Sequence, residues 1–344
     1  MSKLTKVFFI SVLIGVIIGL SAAGVIYYYM IRPQFHPEMT NYIYIDEDDT
    51  LDSVYYKINK EGNPSSMKGF RWIADYKNYG ERIRTGRYAI HRGDNAYRLY
   101  QRLSGGQQTP VNVTVGSVRT FDKLARNIGN QIMADSADIA GLLYDPEFIA
   151  GLGYDEQSLY SLFIPNTYEV YWNMNAEDFI KRMVKEHSRF WNQDRLGKAK
   201  NIGLTPEQVS TLASIVDEET NAGSEKPTVA GLYINRLKRG MPLQADPTVK
   251  FALGNFELRR ITNAMLETDS PYNTYKNAGL PPGPIRIPTI QGIDAVLNYQ
   301  KHNYLYMCAK EDFSGTHNFA TTLTEHLANA RKYHKALNDR NIFR

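Results

Sequence analysis

A chain of 344 residues with 43% hydrophobic content is long enough for a sizeable core and two or three domains. Its formal net charge of +4 gives no composition-based case for a nucleic-acid partner. The single cysteine, Cys308, excludes an intrachain disulfide framework and a Cys-rich metal site. The seven histidines show no HExxH-type spacing, so neither a catalytic metal nor a cofactor is expected.

The first element in chain order is VFFISVLIGVIIGLSAAGVIYYYMI, from Val7 to Ile31, which carries no charge. Its roughly 25 residues are enough to cross a hydrocarbon core of about 30 Å. Lys3 and Lys6 precede it, so the positive-inside rule puts residues 1–6 in the cytoplasm, and Tyr27, Tyr28 and Tyr29 fall where an aromatic belt sits. The alternative is a cleaved signal peptide with Ser21-Ala22-Ala23-Gly24 as its cleavage region. The apolar run is much longer than a signal-peptide core, which favours an uncleaved anchor over residues 7–31. Either way the rest of the chain lies outside the cytoplasm, and Cys308 is expected to be buried.

Residues 33–40 (PQFHPEMT) read as a linker. Asn41-Tyr42-Ile43-Tyr44-Ile45 reads as a strand. Thr50 caps a helix through Leu51, Val54, Tyr55 and Ile58, and Ser65 or Ser66 caps another through Met67, Phe70, Ile73 and Ala74. Gly86–Ile90 is a second strand, and Asp94 opens a helix from Asn95 to Leu103 that ends at Gly105-Gly106. These elements make an α+β unit over residues 41–108. Val111–Val115 alternates apolar and polar residues and leads out of it into a second region, residues 109–344. That region is mostly helical from Phe121 to about Ile202, with loops at Asp145-Pro146 and Pro165-Asn166. Thr205-Pro206-Glu207 opens a further helical block, an N-cap with Pro at the first helical position. Beyond Gly240 the chain is loop-rich.

That helical block ends in LASIVDEETNAGSEK, residues 212–226, with Asp217, Glu218 and Glu219 in a row. Wound at about 100° per residue, Leu212, Ile215 and Val216 share one face, and Glu219 is i+7, i+4 and i+3 from them. Glu219 therefore occupies an apolar stripe, while Asp217 and Glu218 point elsewhere and are expected to be solvated. A desolvated carboxyl has a raised pKa, which suits a general acid working near neutrality. The alternatives are a structural ion pair with Arg236 or an exposed helix end near Asn221 and Gly223.

Three Pro-pinned loops follow, at Gly240–Thr248, Ser270–Tyr275 and Gly279–Ile285, rich in amides, hydroxyls and tyrosines. Such loops fix polar groups with little entropy to lose, as a binding groove requires. Amides suit sugar hydroxyls and N-acetyl groups, and tyrosine faces suit sugar rings. Ordinary turn chemistry is the alternative for each loop alone.

Five motifs carry a family resemblance: Ser214-Ile215-Val216-Asp217-Glu218-Glu219-Thr220, Ile234-Asn235-Arg236-Leu237, Met241–Val249, Ser270–Tyr275 and Gly279–Ile285. With Phe163–Tyr168 and His317-Asn318-Phe319 they resemble the MltG (YceG-like) endolytic murein transglycosylases, over nearly the whole chain. The resemblance implies an α+β protein with one transmembrane helix, a LysM-like unit over residues 41–108 and a mixed α+β catalytic domain over 109–344 with a loop-lined cleft. It implies anchoring in the inner membrane with the catalytic domain on the periplasmic or outer face. The implied activity is internal cleavage of nascent peptidoglycan strands between N-acetylmuramic acid and N-acetylglucosamine, leaving 1,6-anhydro ends. Cell-wall synthases are the implied protein partners.

By the same resemblance the catalytic acid is the Glu directly before Thr, which is Glu219 here. Glu218 fills a position where the family often has Lys, and two adjacent acids are expected to raise the working pKa slightly. Gln244, Tyr272, Asn273 and Tyr275 are the expected substrate-positioning residues. Asp246 either orients its loop or is the second carboxylate of a hydrolase, and Pro247 beside it favours a structural turn. His317 and Asn318 either line the cleft or pack in the core. A muramidase that uses water and a non-catalytic glycan-binding scaffold stay open as rival functions.

Overall fold

The computed structural model describes residues 3–258 and 261–340, and the chain divides into two units. The first is residues 1–113 with 131–133 and 169–174; the second takes the remainder, so two short segments C-terminal to residue 113 build into the first unit.

The first unit begins with α1 (Lys3–Ile26), which continues as one π-helical turn over Tyr27–Ile31. This helix is long and apolar enough to cross a membrane, and its most apolar window is wholly unburied. Next come β1 (Asn41–Ile45), α2 (Leu51–Gly62), α3 (Lys68–Tyr76), β2 (Gly86–Ile90) and α4 (Ala96–Ser104). Strands β1 and β2 pair antiparallel, with Ile43 opposite Tyr88 and Ile45 opposite Gly86. Their period of two sends Ile43, Ile45, Tyr88 and Ile90 into a core shared with Val54 and Ile58 of α2, Phe70 of α3 and Leu99 of α4. On the other face the Arg87 guanidinium sits 3.5 Å from the centre of the Tyr42 ring.

The caps differ in detail from the sequence expectation. Thr50 caps α2 by accepting the Ser53 N–H, and Ser66 Oγ accepts the Lys68 N–H as α3 begins. The cap of α4 is Asn95, not Asp94. Asp94 is buried, accepts the His91 N–H at 2.8 Å and pairs with Arg102 at 2.6 Å, which occupies the carboxylate that a cap would need.

The second unit starts within β3 (Val111–Val115) and continues through α5 (Phe121–Gly129), α6 (Ser136–Leu143), α7 (Pro146–Gly151), the first three residues of β4 (Asn166–Val170), α8 (Ala176–Phe190) and α9 (Gln193–Ile202). Asp145-Pro146, expected as a loop, is a helix start: Asp145 accepts the Glu147 and Phe148 N–H groups and Pro146 takes the first turn of α7. The centre of the unit is α10 (Pro206–Glu219), opened by Thr205 and Gln208 in a reciprocal capping box. It packs against α9, α11 (Lys226–Lys238), α12 (Asp246–Ala252) and α14 (Ile290–Leu297), with α13 (Asn263–Leu266) in the intervening loop. The C-terminal part is less loop-like than its sequence suggests. β5 (Tyr306–Ala309) and β6 (His317–Ala320) form an antiparallel pair, and α15 (Leu323–Asp339) opens with a Thr322–Glu325 capping box.

Helix α10 is buried all round, from Val209 to Asp217. The expectation that Asp217 is solvated is therefore overturned, because α14 covers the side of the helix that a surface helix would leave in water. The Asp217 carboxylate accepts from Lys226 Nζ at 2.5 Å, from the Thr289 N–H at 2.6 Å and from Thr289 Oγ1 at 2.9 Å. Breaking a buried ion pair from one side leaves an uncompensated charge. Lys226→Met is expected to lower stability in urea unfolding by about 3–5 kcal/mol, and adding Asp217→Asn should recover most of that loss.

Candidate active site

Where α10 ends, its last residue faces a cleft of about 360 Å³ in the second unit. Glu219 and Tyr233 form one side of it. The opposite sides come from the Gln244–Asp246 loop, Tyr275, strands β5 and β6, and the start of α15.

Glu219 is partly buried, and its Oε1 accepts the Tyr233 hydroxyl at 2.6 Å. Burial raises its carboxyl most. The Tyr233 hydrogen bond opposes that rise, the charge of Asp246 adds to it, and His317 and Lys250 oppose it more weakly. The result is about 7. Tyr233 is fully buried, and its phenol is pushed well above its ordinary value by burial and by Glu219, so it stays a neutral donor.

The other two acids of the row have different roles. Glu218 accepts both Arg119 Nε and Nη2, at 2.8 and 2.6 Å, and Arg286 Nη1 at 2.8 Å. Burial pushes its carboxyl up, but the two arginines outweigh that and hold it below the usual range. Two expectations are corrected accordingly: Glu218 is not solvated but covered and committed to two cations, and the carboxylate whose charge raises Glu219 is Asp246.

Arg236 is not the ion-pair partner of Glu219. It is buried and donates to the Leu305, Pro242 and Leu243 carbonyls, at 2.7, 3.1 and 2.7 Å, and to Gln244 Oε1 at 3.2 Å. One rigid guanidinium thus ties the Gln244 loop to the chain entering β5. Gln244 itself has φ +53°, a left-handed conformation uncommon outside glycine. It is held there by its N–H to the Thr274 carbonyl at 3.1 Å, while Thr274 Oγ1 accepts the Ala245 N–H at 3.0 Å.

Glu219, Gln244, Asp246, Tyr275 and His317 come together around the cleft. Tyr275 donates its hydroxyl to Asp246 Oδ1 at 2.5 Å. His317 is held from its Nδ1 side by Glu225 Oε2 at 2.9 Å, and its N–H reaches Glu225 Oε1 at 2.7 Å. A carboxylate can only accept here, so Nδ1 is the donor of this contact.

Tyr272, Asn273 and Asn318 lie outside this lining. Tyr272 borders a separate aromatic groove of about 250 Å³ with Tyr160 and Phe251. Asn273 is fully buried: Nδ2 donates to the Leu266 and Thr268 carbonyls at 2.7 and 2.8 Å, and Oδ1 accepts the Tyr275 N–H at 3.0 Å. It braces the loop that presents Tyr275. Asn318 follows His317 on a strand, where successive side chains face opposite ways, and it donates to Glu311 at 2.7 Å. Cys308, expected to be buried, is half-buried and lines the cleft.

Sequence reasoning missed Tyr233, Glu225 and Thr274. Tyr233 lies 14 residues beyond its partner, on another helix, so no local periodicity marks it. The sequence marks Arg236 only as a candidate ion-pair partner.

The raised Glu219 carboxyl fixes a pH dependence of stability. A folded-state value of about 7 against an ordinary 4.5 means that the folded chain binds this proton more tightly than the unfolded chain. The group therefore costs stability as pH rises through that interval, and the full cost is present above it. Thermal unfolding should show Glu219→Gln melting above the wild type at about pH 8, with the gap closing toward pH 4.5. A gap that stays constant with pH would contradict the raised value.

The model of the YceG-like family matches residues 43–332. A curated endolytic murein transglycosylase from Bacillus subtilis is 29% identical over 314 residues, covering 87% of this chain and 86% of the relative. One from Streptococcus pneumoniae is 28% identical over 344 residues and covers 88% of this chain, which spans 61% of that longer protein. Among solved structures, a YceG-like protein from Listeria monocytogenes superposes with a TM-score of 0.56 at 26% identity, over 85% of this chain and 99% of that one. The match over residues 43–332 takes in both units and the whole lining of the cleft, and the chain belongs to the YceG-like family.

Proposed function

We propose that the chain is a membrane-anchored endolytic murein transglycosylase in which Glu219 acts first as acid and then as base. The observation that carries the proposal is a carboxyl raised to about 7 at the side of an open cleft, held by a neutral tyrosine hydroxyl. Two of the relatives described above bear that activity as their name.

In the proposed reaction, protonated Glu219 donates to the glycosidic oxygen between N-acetylmuramic acid and N-acetylglucosamine. The C1–O bond breaks, and positive charge develops on the muramic ring, steadied by its own acetamido oxygen. Glu219, now a carboxylate, takes the proton of the C6 hydroxyl, whose oxygen closes on C1. No water is consumed, and the proton returns to Glu219. This differs from the two-carboxylate division of labour in most glycoside hydrolases. Gln244, Tyr275 and His317 are proposed to position the sugar, and Tyr272 to meet the strand at its separate groove. The apolar helix α1 is proposed as the anchor, in the inner membrane, with the remainder of the chain on its outer side.

Asp246 gives a second reading, since it lines the same cleft. As the base of a hydrolase it would activate water and yield a reducing sugar end. Its Oδ1 is already engaged by Tyr275, which favours the single-carboxylate reaction.

Mass spectrometry of products from purified glycan strands separates these readings. Wild type should yield internal fragments with anhydro ends, and Glu219→Gln should lose on the order of 10²–10⁴-fold in rate. Reducing ends would point to Asp246, and glycan binding without products would point to a scaffold. Tyr233→Phe removes the hydrogen bond that lowers the Glu219 pKa. It is expected to move the alkaline limb of the rate profile to higher pH, measured from kcat across pH.

A further inference from the structure

Helix α3 is fixed against the end of α1. A Cβ on Gly69 would lie 1.9 Å from the Tyr29 carbonyl oxygen, so only glycine allows the approach. Lys68 Nζ stands 6.0 Å from the centre of the Tyr29 ring. Beside this contact a groove of about 430 Å³ opens between the two helices, walled by Val25, Ile26, Tyr29, Met30 and Trp72. Lys68 is the charged residue in that lining, and no acid lines it among the described residues. Trp72 is 59% exposed and stacks on Tyr76, itself 69% exposed, at 5.5 Å and an interplanar angle of 2°. Two stacked, exposed aromatics beside an open apolar groove mark an interaction surface.

The depth of this surface follows from α1. Val7 to Ile31 rises about 37 Å at 1.5 Å per residue, against a hydrocarbon core of about 30 Å. The turn at Tyr27–Ile31 then lies at headgroup level, and α3, clamped on Tyr29, lies there with it. At that level an indole ring finds its preferred interface, and an ammonium group meets lipid phosphate. The groove is continuous with the bilayer-facing surface of α1 through Val25 and Ile26, so lipid reaches it without any further partner.

We propose that the groove between α1 and α3 is a phospholipid site, with an acyl chain along Val25, Ile26 and Trp72 and the phosphate against Lys68. Bound lipid would hold α3 in the membrane interface. The inference rests on α1 being the uncleaved anchor of the reading above.

The test is tryptophan emission from the full chain in nanodiscs of phosphatidylcholine and phosphatidylglycerol, with and without bromine on the acyl chains. Brominated chains are expected to quench the wild type. Trp72→Phe, which keeps Trp172 and Trp191, should lose that quenched fraction, and Lys68→Glu should reduce it. Equal quenching of wild type and Trp72→Phe in discs that hold the intact chain would overturn the lipid site. That result would leave another protein's membrane helix as the occupant of the groove. A chain that loses α1, or that fails to enter discs at all, would overturn the anchor reading and this inference with it.

Discussion

The carboxylate of Asp217 is where α10, α11 and α14 meet. It takes the Lys226 ammonium from α11, and it takes the N–H and hydroxyl of Thr289 at the start of α14. The positive end of the α14 dipole adds to this arrangement. The approach is tight enough that a Cβ on Gly292 would lie 2.5 Å from Asp217 Oδ1, so the glycine in the first turn of α14 is a condition of the contact. Residues two apart on a helix diverge by about 200°. Fixing Asp217 toward α14 therefore turns Glu219 away, toward Tyr233 and the cleft. Glu218, between them, is held by Arg119 and Arg286. Three consecutive acids thus serve as a buried brace, a largely covered link to two arginines and a desolvated acid, and the first two orient the third.

How much of this was legible in the sequence depends on whether the deciding contact is local. Thr50, Thr205 and the strands at 41–45 and 86–90 were readable because caps and period-two patterns are short-range. The place of Glu219 on the apolar stripe was readable for the same reason. The burial of Asp217 was not. Thr211, Ser214 and Asp217 make the outer face of α10 look polar, yet Thr211 and Ser214 satisfy their hydroxyls on carbonyls of the preceding turn. A helix buried all round can thus carry the pattern of a surface helix. The lining of the cleft was only partly readable. Tyr272, Asn273 and Tyr275 share one loop in sequence, but one borders another groove, one braces the loop and one reaches the cleft.

The loops that face Glu219 are held by polar contacts rather than by apolar packing. Arg236 donates to three carbonyls and a side-chain amide, and Thr274 holds the Gln244–Ala245 backbone. A buried guanidinium without a carboxylate partner is costly unless its donors are used, and here four of its contacts are carbonyl oxygens. That commitment spans segments distant in the chain, so it fixes the spacing across the cleft more rigidly than any one turn. The Arg236 donors are spent on these oxygens, and Glu219 is left to its hydrogen bond with Tyr233.

The proton balance of the proposed reaction explains why such isolation matters. A carboxyl at its ordinary value of about 4.5 is protonated in only about one molecule in 300 at pH 7, whereas one at about 7 is protonated in about half. A single group that must give a proton and then recover one works best when its two forms are close in energy at the working pH. Burial and Asp246 raise Glu219 into that range, and the Tyr233 hydroxyl keeps it from rising further. Asp246 contributes through its charge while its own oxygen stays occupied by Tyr275. Accepting a proton as a second base would remove the charge that raises Glu219. The arrangement that tunes one carboxylate therefore works against using two.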